Sequence, residues 1–376
     1  MASSLAPILA AAEEAGFAAL ATMPCVPFSD WLGVVRTREG YTDFLSLPSL
    51  ADARETLPEA RTIVVAVWDY LGHAPAVVGP GRVARLYLSE SDPSDPETHP
   101  AARRMAETFA RLGWRTSTKA PRREAAVAAG LLEQRRNCLG YLPGGHSFVA
   151  LFTWVVDQTL AHERVTFGDI SGATIETVRE FAYPPGRRDP CGRCQACLEA
   201  CPTQALVRPF VLDPRRCIDR NTWRVGQWLP RELRPKMGTW LYGCDVCQEV
   251  CPHNQKALKA AASKARGKAE FALDRLAAID DRQYRDVWQR FFVFNEDPAD
   301  LRRNVMVAIG NLGDTSLLPS LLAGSKDGAP VVRGHAAWAL GRFKASRARK
   351  ALKSALAGET DAAVRAEILA ALEEQG

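Results

Sequence analysis

The stretch CGRCQACLEACPTQAL (residues 191–206) places four cysteines within eleven residues. They follow the spacing C-x2-C-x2-C-x3-C, and a proline comes directly after the fourth cysteine. Downstream, a lone cysteine precedes a second run of the form C-x2-C-x3-C-P; this second set is Cys217, Cys244, Cys247 and Cys251. Clustering of this kind, without the signature of an exported chain, favours metal or redox chemistry over a disulfide framework.

The spacing of both sets is that of iron–sulfur ligands, in which the fourth cysteine of a run binds the neighbouring cluster. We therefore expect two 4Fe–4S clusters with crossed ligation. One cluster would be held by Cys191, Cys194, Cys197 and Cys251, and the other by Cys217, Cys244, Cys247 and Cys201. Two zinc sites are the alternative, although zinc sites seldom space three cysteines in this way before a proline. Cys25 and Cys138 stand apart and are expected to be ordinary buried thiols.

The composition is that of a globular protein. The 376 residues are 47% hydrophobic and 24% charged, which favours two or three domains. The net charge of +5 permits contact with a polyanion without requiring it. The chain has no apolar stretch long enough to span a membrane, and Glu13 and Glu14 interrupt the first apolar run, so an amphipathic helix is favoured there over a signal peptide. We expect a cytoplasmic protein.

Residues 1–185 alternate strand and helix patterns. ARTIVVAVWDYL (60–71) and HSFVALFTWVVD (146–157) are typical of buried strands. Residues 99–114 and 124–134 have apolar positions at helical spacing. An α/β or α+β domain is expected.

A linker at 181–190 leads into a cysteine-rich domain over residues 186–258. The remainder, 259–376, is helical and contains a repeat, because Arg302, Arg333 and Arg365 each precede an apolar helix and lie 31 and 32 residues apart. That period predicts stacked helix pairs of the HEAT kind, with a single irregular helical cap as the alternative.

Several motifs resemble the epoxyqueuosine reductases, a family of cobalamin-dependent enzymes with two 4Fe–4S clusters that act on tRNA. The resemblance is tightest in CGRCQACLEACPTQALVRPFVLDPRRCI (191–218) and LPRELRPKMGTWLYGCDVCQEVCPHN (229–254), and it recurs in RRNVMVAIGNLGD (302–314) and VVRGHAAWALG (331–341). RRNCLGYLPGGHSFVALF (135–152) is similar, more loosely, to the segment of the family that contacts cobalamin.

The resemblance implies an α+β protein. Its parts would be an N-terminal α/β corrinoid-binding domain related to reductive dehalogenases, a ferredoxin-like double-cluster domain and C-terminal HEAT-like repeats. It implies reduction of epoxyqueuosine to queuosine in tRNA by a monomer, with no membrane partner and with an electron donor such as a flavodoxin or ferredoxin. The positions implied to bind the cofactor are Gly140, Ser147, Trp154, Arg216, Arg220, Arg224 and Asp245.

Two departures fall where the family contacts its substrate. The family carries an aspartate, thought to donate a proton, where this chain reads RTSTKAP (115–121), and no acid occurs between Glu107 and Glu124. Thr116 or Thr118 is the equivalent position. A threonine hydroxyl is a poor general acid, so Glu124 or a bound water would substitute, or the chemistry differs; Thr118 and Glu124 are weak candidates for the catalytic residue. After Cys217, Arg220 and Arg224 stand where the family has a tyrosine and a glutamate. With Arg216 they would bind cobalamin or an acidic substrate, or else lie in solvent as surface arginines.

Two basic segments, 255–268 and 342–353, contain no acid and are suited to phosphate contacts, although a solvated helix face is the alternative.

Three hypotheses about function follow. The first is a corrinoid-dependent reductase acting on tRNA. The second is a paralogous reductase acting on a small, possibly anionic molecule, and the third is a non-catalytic electron-transfer protein.

Overall fold

The computed structural model describes residues 3–37, 47–88, 99–167, 174–178, 181, 189–224, 226–264, 267–288 and 297–376. The predicted linker and the boundary at 185/186 lie mostly outside the described residues. Within the described part, the chain forms a sheet covered by helices, a cysteine-rich segment of short elements, and a stack of helices.

The described residues of the N-terminal region form five α-helices and ten strands. The helices are α1 (Ala6–Glu14), α2 (Ser29–Arg36), α3 (Leu47–Ala51), α4 (Pro100–Arg111) and α5 (Arg122–Ala128). The strands are β1 (Ala19–Pro24), β2 (Thr62–Asp69), β3 (Ala76–Val78), β4 (Arg82–Val83), β5 (Thr116–Ser117), β6 (Glu133–Gln134), β7 (Gly140–Tyr141), β8 (Val149–Val156), β9 (Glu163–Thr166) and β10 (Thr174–Thr177).

Six of these strands form one sheet in the order β10-β9-β1-β2-β8-β5, and all of its described pairs are antiparallel. The central strands β2 and β8 confirm the two predicted strands. Along β2, Ile63 and Val65 pack on one side and Val64 and Ala66 on the other, against separate cores. Because helices cover both faces, these strands are continuously apolar although the sheet is antiparallel. The α+β prediction is therefore confirmed.

The helix predicted at 124–134 is only partly correct. Helix α5 ends at Ala128, and Gly130 follows with a φ of +70°, a conformation that glycine adopts without strain. The chain then turns into β6, so the last residues of the predicted helix form a strand instead.

The cysteine-rich segment consists of short elements: α6 (Ala196–Ala200), β11 (Leu206–Arg208), β12 (Val211–Leu212), α7 (Ile218–Trp223), β13 (Trp240–Tyr242), α8 (Val246–Glu249), α9 (Gln255–Lys264) and β14 (Lys268–Glu270). Two parallel pairs, β4 with β13 and β3 with β14, join this segment to the N-terminal region.

The C-terminal region stacks helices in pairs: α10 (Leu273–Ala277), α11 (Asp281–Trp288), α12 (Pro298–Leu312), α13 (Leu318–Gly324), α14 (Pro330–Gly341), α15 (Ser346–Gly358) and α16 (Ala362–Glu374). The three predicted repeat helices correspond to α12, α14 and α16, which contact one another in sequence. Among the described helices, none combines the length and the apolar character that a bilayer crossing requires.

A buried polar contact fixes the helical stack to the cysteine-rich segment. Arg303 of α12 is fully buried and donates from Nη1 to the carbonyl oxygen of Arg224 at 2.7 Å. Its neighbour Asn304 donates to the carbonyl oxygens of Thr222 at 2.7 Å and Leu241 at 2.8 Å. Burial lowers the pKa of Arg303 to about 10, and these carbonyl acceptors compensate for the lost hydration.

Candidate functional site

Two cavities lined by cysteines lie in the cysteine-rich segment. One, which we call the outer cavity, has a volume of about 190 Å³, and its wall includes Cys191, Cys194, Cys197 and Cys251. The other, the inner cavity, has a volume of about 260 Å³, and its wall includes Cys201, Cys217, Cys244 and Cys247. Each cavity thus gathers three cysteines from one part of the sequence and one from the other.

Short helices and prolines produce this exchange. Helices α6 and α8 pack against each other, and Cys201 and Cys251 leave them in extended backbone just before a proline. A proline cannot continue the preceding helix. The backbone therefore turns away at the end of each cysteine run, and the last cysteine of that run faces the other set. The backbone N–H of Ala205 donates to the sulfur of Cys201 at 3.2 Å, which fixes that side chain.

Several buried thiols of the two cavities are poor anions without a metal. Burial raises the pKa of Cys197 to about 11 and that of Cys217 to about 12. Burial also raises the pKa of Cys247 well above its ordinary value. A thiolate is the form that binds a metal, so a cationic centre is needed to compensate the buried charge. The donor set of four thiols in each cavity fits a 4Fe–4S cluster.

The inner cavity extends from its thiols to the N-terminal sheet. Its wall includes Tyr70, Ser147 and Val149, the last being the first residue of β8. Ser147 Oγ donates to Gln248 Oε1 at 2.9 Å, and Asn254 Nδ2 donates to Ser147 Oγ at 2.9 Å. Buried polar groups therefore fix the wall of the cavity on the side of the sheet.

A second network holds the loop from Cys244 to Cys247, which lines the inner cavity. Asp245 lies between Cys244 and Cys247 in the sequence, and its Oδ2 accepts from the backbone N–H of Arg85 at 2.8 Å and from Arg85 Nη1 at 3.0 Å. Burial raises the pKa of Asp245, and Arg85 opposes that effect. Glu249 accepts from Arg85 at 2.9 Å and from Arg82 at 2.7 Å, so both carboxyl groups tie this loop to the N-terminal region.

The structure separates the residues predicted to contact a cofactor. Ser147 and Asp245 line the inner cavity. Gly140 does not line either cavity; its missing side chain makes room for Leu132, since a Cβ there would lie 2.6 Å from Leu132 Cδ1. Trp154 is 1% exposed, packs among aromatic rings in the core of the sheet and is part of neither cavity wall, and its contact with a cofactor stays a prediction.

The three arginines near Cys217 differ in their surroundings. Arg220 lies within α7 and is 5% exposed, so the alternative of a solvated surface arginine does not hold for it. Arg216 is half-buried and Nη2 lies 3.5 Å from Gln204 Oε1. Arg224 is half-buried at the end of α7. None of the three is part of the wall of the inner cavity, and a role for them at a cofactor stays a prediction.

The two candidates for proton donation lie outside the cavity walls as well. Glu124 is buried in the first turn of α5, and its Oε1 accepts from Arg123 Nε at 3.1 Å. Thr118 is half-buried in the turn that follows β5, where its carbonyl oxygen accepts from the backbone N–H of Ala120 at 3.1 Å. Their roles stay predictions.

One residue of the outer cavity was not singled out from the sequence. Arg135 is 4% exposed, and it lines the outer cavity beside the thiols of Cys191 and Cys251. The only sequence signal is the pair of arginines that opens the segment 135–152, and a pair of arginines is more often found at a surface.

Comparison with known proteins agrees with this organisation. Residues 190–254 match the 4Fe-4S double cluster binding domain, and residues 292–373 match HEAT repeats. The fold and the paired cavities thus define a double-cluster iron–sulfur protein with a HEAT-repeat region.

Curated epoxyqueuosine reductases are similar to part of the chain. That of Bacillus subtilis is 38% identical over 184 residues, which cover 48% of this chain and 47% of the relative; that of Escherichia coli is 34% identical over 159 residues and 40% of each chain. The aligned residues thus span about half or less of these curated relatives. A solved structure of the Bacillus subtilis enzyme has a TM-score of 0.82 at 25% identity, and the match covers 98% of both chains. The chain is thus similar to epoxyqueuosine reductases in sequence over about half of its length and in fold over nearly all of it.

Proposed function

We propose that this protein is an oxidoreductase that uses two 4Fe–4S clusters and cobalamin to reduce epoxyqueuosine to queuosine in tRNA. The observation that carries the proposal is the pair of cavities, each with four thiols, of which the inner one extends to the N-terminal sheet. A solved epoxyqueuosine reductase bound to an epoxyqueuosine-modified tRNA stem loop has the same fold, with a TM-score of 0.78 over 98% of this chain.

The outer cluster is the proposed entry point for electrons. Cys194 is exposed, whereas the thiols of the inner cavity are half-buried or deeper, so a donor such as a flavodoxin or ferredoxin approaches the outer cluster more closely. Cobalamin, when bound, supplies the two-electron chemistry at the substrate. Ser147 and Asp245 are the residues of this chain that would orient it, because both line the inner cavity and both are fixed by hydrogen bonds.

The proton required by the reaction would come from the region of Thr118 and Glu124. An incubation of the reconstituted protein with cobalamin, a reductant and epoxyqueuosine-containing tRNA, followed by mass analysis of the nucleosides, tests the function directly. We expect queuosine to form. Thr118→Asp supplies a carboxyl group at one of the two positions equivalent to the family's aspartate, and we expect it to raise the rate about tenfold or more, within the range typical of general acids. Wild-type protein and Thr118→Asp that both leave epoxyqueuosine unchanged would contradict the proposal.

The basic side chains of α15 and of the residues just before it are the proposed tRNA-binding surface of the helical stack. Helix α15 and the residues before it present exposed basic side chains that include Lys344, Arg347, Lys350 and Lys353. Phosphate contacts release counterions, so affinity for the tRNA should fall steeply with salt. We expect Lys350→Gln to reduce the slope of log affinity against log salt by about one, with an exposed lysine outside this surface, such as Lys326, as the control. We place the protein in the cytoplasm, where its tRNA substrate is found, and expect it to be a monomer.

A paralogous reductase acting on a small anionic molecule is the second candidate. It is favoured by the lack of an acid between Glu107 and Glu124 and by the position of Arg216 and Arg224 at either end of the Cys217–α7 segment. In that case Arg224→Ala abolishes turnover, whereas charge reversal at Lys350 and Lys353 leaves turnover unchanged. The tRNA assay with these variants separates the two candidates.

A further inference from the structure

Arg135 is a buried cation in the wall of the outer cavity. It follows β6 in a tight turn, in which its backbone N–H donates to the carbonyl oxygen of Leu139 at 3.0 Å and Cys138 has a φ of +65°. The Arg135 side chain is 5% exposed. The turn therefore fixes the guanidinium inside the protein rather than at its surface.

The guanidinium is only partly satisfied by the protein. Nη2 donates to Glu133 Oε2 at 3.0 Å, and the carbon Cζ lies 4.8 Å from the centre of the Tyr141 ring. Among the residues that the structure describes, Nε and Nη1 of Arg135 have no hydrogen-bond partner. Two unsatisfied donors on a buried cation are costly, so the missing acceptors should belong to what fills the cavity. The adjacent cavity is the one lined by four thiols.

We propose that Arg135 donates hydrogen bonds from Nε and Nη1 to sulfur atoms of the outer cluster, and that it raises the reduction potential of this cluster. The inference rests on the proposed assignment of a cluster to the outer cavity. Reduction adds one electron and therefore one negative charge to the cluster. A buried positive charge and hydrogen bonds to sulfur stabilise that reduced state, and both are known determinants of cluster potential.

The inner cavity has the opposite character. Its described wall contains the carboxyl groups of Asp219 and Asp245 and no lysine or arginine, whereas the outer wall contains Arg135 and Arg136. Arg136 is already satisfied, since it donates to Asp189 at 2.6 and 2.8 Å and to the carbonyl oxygen of Cys194 at 2.9 Å. The wall of the outer cavity thus carries a partly satisfied cation that the described wall of the inner cavity lacks, and we expect the outer cluster to be reduced first.

The test is a redox titration of the reconstituted full-length protein followed by electron paramagnetic resonance. Arg135→Gln should lower the electron affinity of the outer cluster at least tenfold, which corresponds to about 59 mV for a one-electron couple, and leave the inner couple unchanged. Glu133→Gln removes the acid paired with Arg135 and should shift the outer couple in the opposite direction. The control is Arg193→Gln, which removes an arginine exposed on the loop between Cys191 and Cys194; solvent screening should keep its effect below about threefold.

Glu133 is 46% exposed, so we expect Glu133→Gln to fold and to assemble the outer cluster. This variant tests the inference even if Arg135→Gln fails to assemble that cluster. Arg135→Lys retains the charge without the planar donors and should shift the potential less than Arg135→Gln. If Arg135→Gln and Glu133→Gln proteins with both clusters loaded have the same reduction potentials as the wild type, the inference about Arg135 is overturned and the proposed function is not affected. Zinc in place of iron in the purified protein would overturn it together with the proposed function.

Discussion

The ion pair between Arg333 and Glu359 joins the last two pairs of helices. Arg333 of α14 donates from Nε and Nη2 to the two carboxylate oxygens of Glu359, at 2.7 and 3.0 Å. Glu359 Oε1 also accepts from the backbone N–H groups of Thr360 and Asp361, just before α16 begins. One carboxylate therefore connects α14 to the start of α16.

The pKa of Glu359 gives the magnitude of this interaction. The hydrogen bonds from Arg333 lower that pKa from its ordinary 4.5 to about 2. A tenfold change in proton affinity corresponds to about 1.4 kcal/mol, so the full shift sets an upper limit of about 3 kcal/mol. Because Arg333 keeps 19% of its side-chain surface exposed, screening by solvent reduces the expected contribution to about 1–2 kcal/mol.

Glu359→Gln reproduces the protonated carboxyl group, and Arg333→Met removes the partner. Each change should lower the free energy of local opening of α16 by about 1–2 kcal/mol at neutral pH, and the double variant should lose less than the sum of the two. Amide hydrogen exchange of the full-length protein, read by mass spectrometry on peptides from α14 and α16, measures this quantity. Lys353→Met, which changes an exposed cation of α15, is the control.

The pH dependence has a defined sign. The pKa of Glu359 is lower in the folded state than in the unfolded state, so the stabilisation is complete above about pH 4.5 and is lost as the pH falls towards about 2. The difference between the wild type and Glu359→Gln should therefore shrink as the pH is lowered from 6 to 4. A change in opening free energy below about 0.5 kcal/mol at neutral pH, or strict additivity in the double variant, would refute the reasoning.

Two further predictions concern the cavities and the helical stack. Cys251→Ala should remove the outer cluster although Cys251 belongs to the second cysteine run, and Cys201→Ala should remove the inner cluster. Iron content and electron paramagnetic resonance of the reduced proteins measure which cluster is lost. Loss of the inner cluster in Cys251→Ala and of the outer cluster in Cys201→Ala would show that each run binds its own cluster. In helix α14, a Cβ at Gly334 would lie 2.2 Å from Trp228 Cζ3, so Gly334→Ala should cost about 1–3 kcal/mol of stability in thermal unfolding. Gly33→Ala in α2, where a Cβ meets no atom within 4 Å, should be neutral or slightly stabilising, and an equal loss in both variants would contradict the packing argument.

The repeat arginines show which features the local sequence pattern predicts and which it does not. Their spacing predicted stacked helices, and α12 and α14 are such helices. It could not predict that Arg302 binds Asp327 and Arg333 binds Glu359, because each acid lies about one helix pair further along the chain. The period is visible in the sequence, whereas the partner is determined by how the pairs stack.

The residues around the cavities show where prediction from sequence stopped. Along β8 the side chains point alternately to the two faces of the sheet. The ring of Trp154 lies in a core because helices cover both faces. Arg135 and Arg136 are identical in type and adjacent in sequence. The turn that follows β6 buries the first against the outer cavity and directs the second to the carbonyl groups of the ligand loop.

The sequence by itself determined the cysteine ligands, the strands and helices with strong periodicity, and the repeat. These features depend on spacing within a few residues or on one regular period, so the local chemistry is sufficient. Only the tertiary structure decided which arginine faces the thiols and that the inner cavity extends to the N-terminal sheet. These are contacts between segments about 50 to 170 residues apart, such as Arg136 with Asp189 and Arg82 with Glu249, and they arise from packing of whole elements that no local pattern encodes.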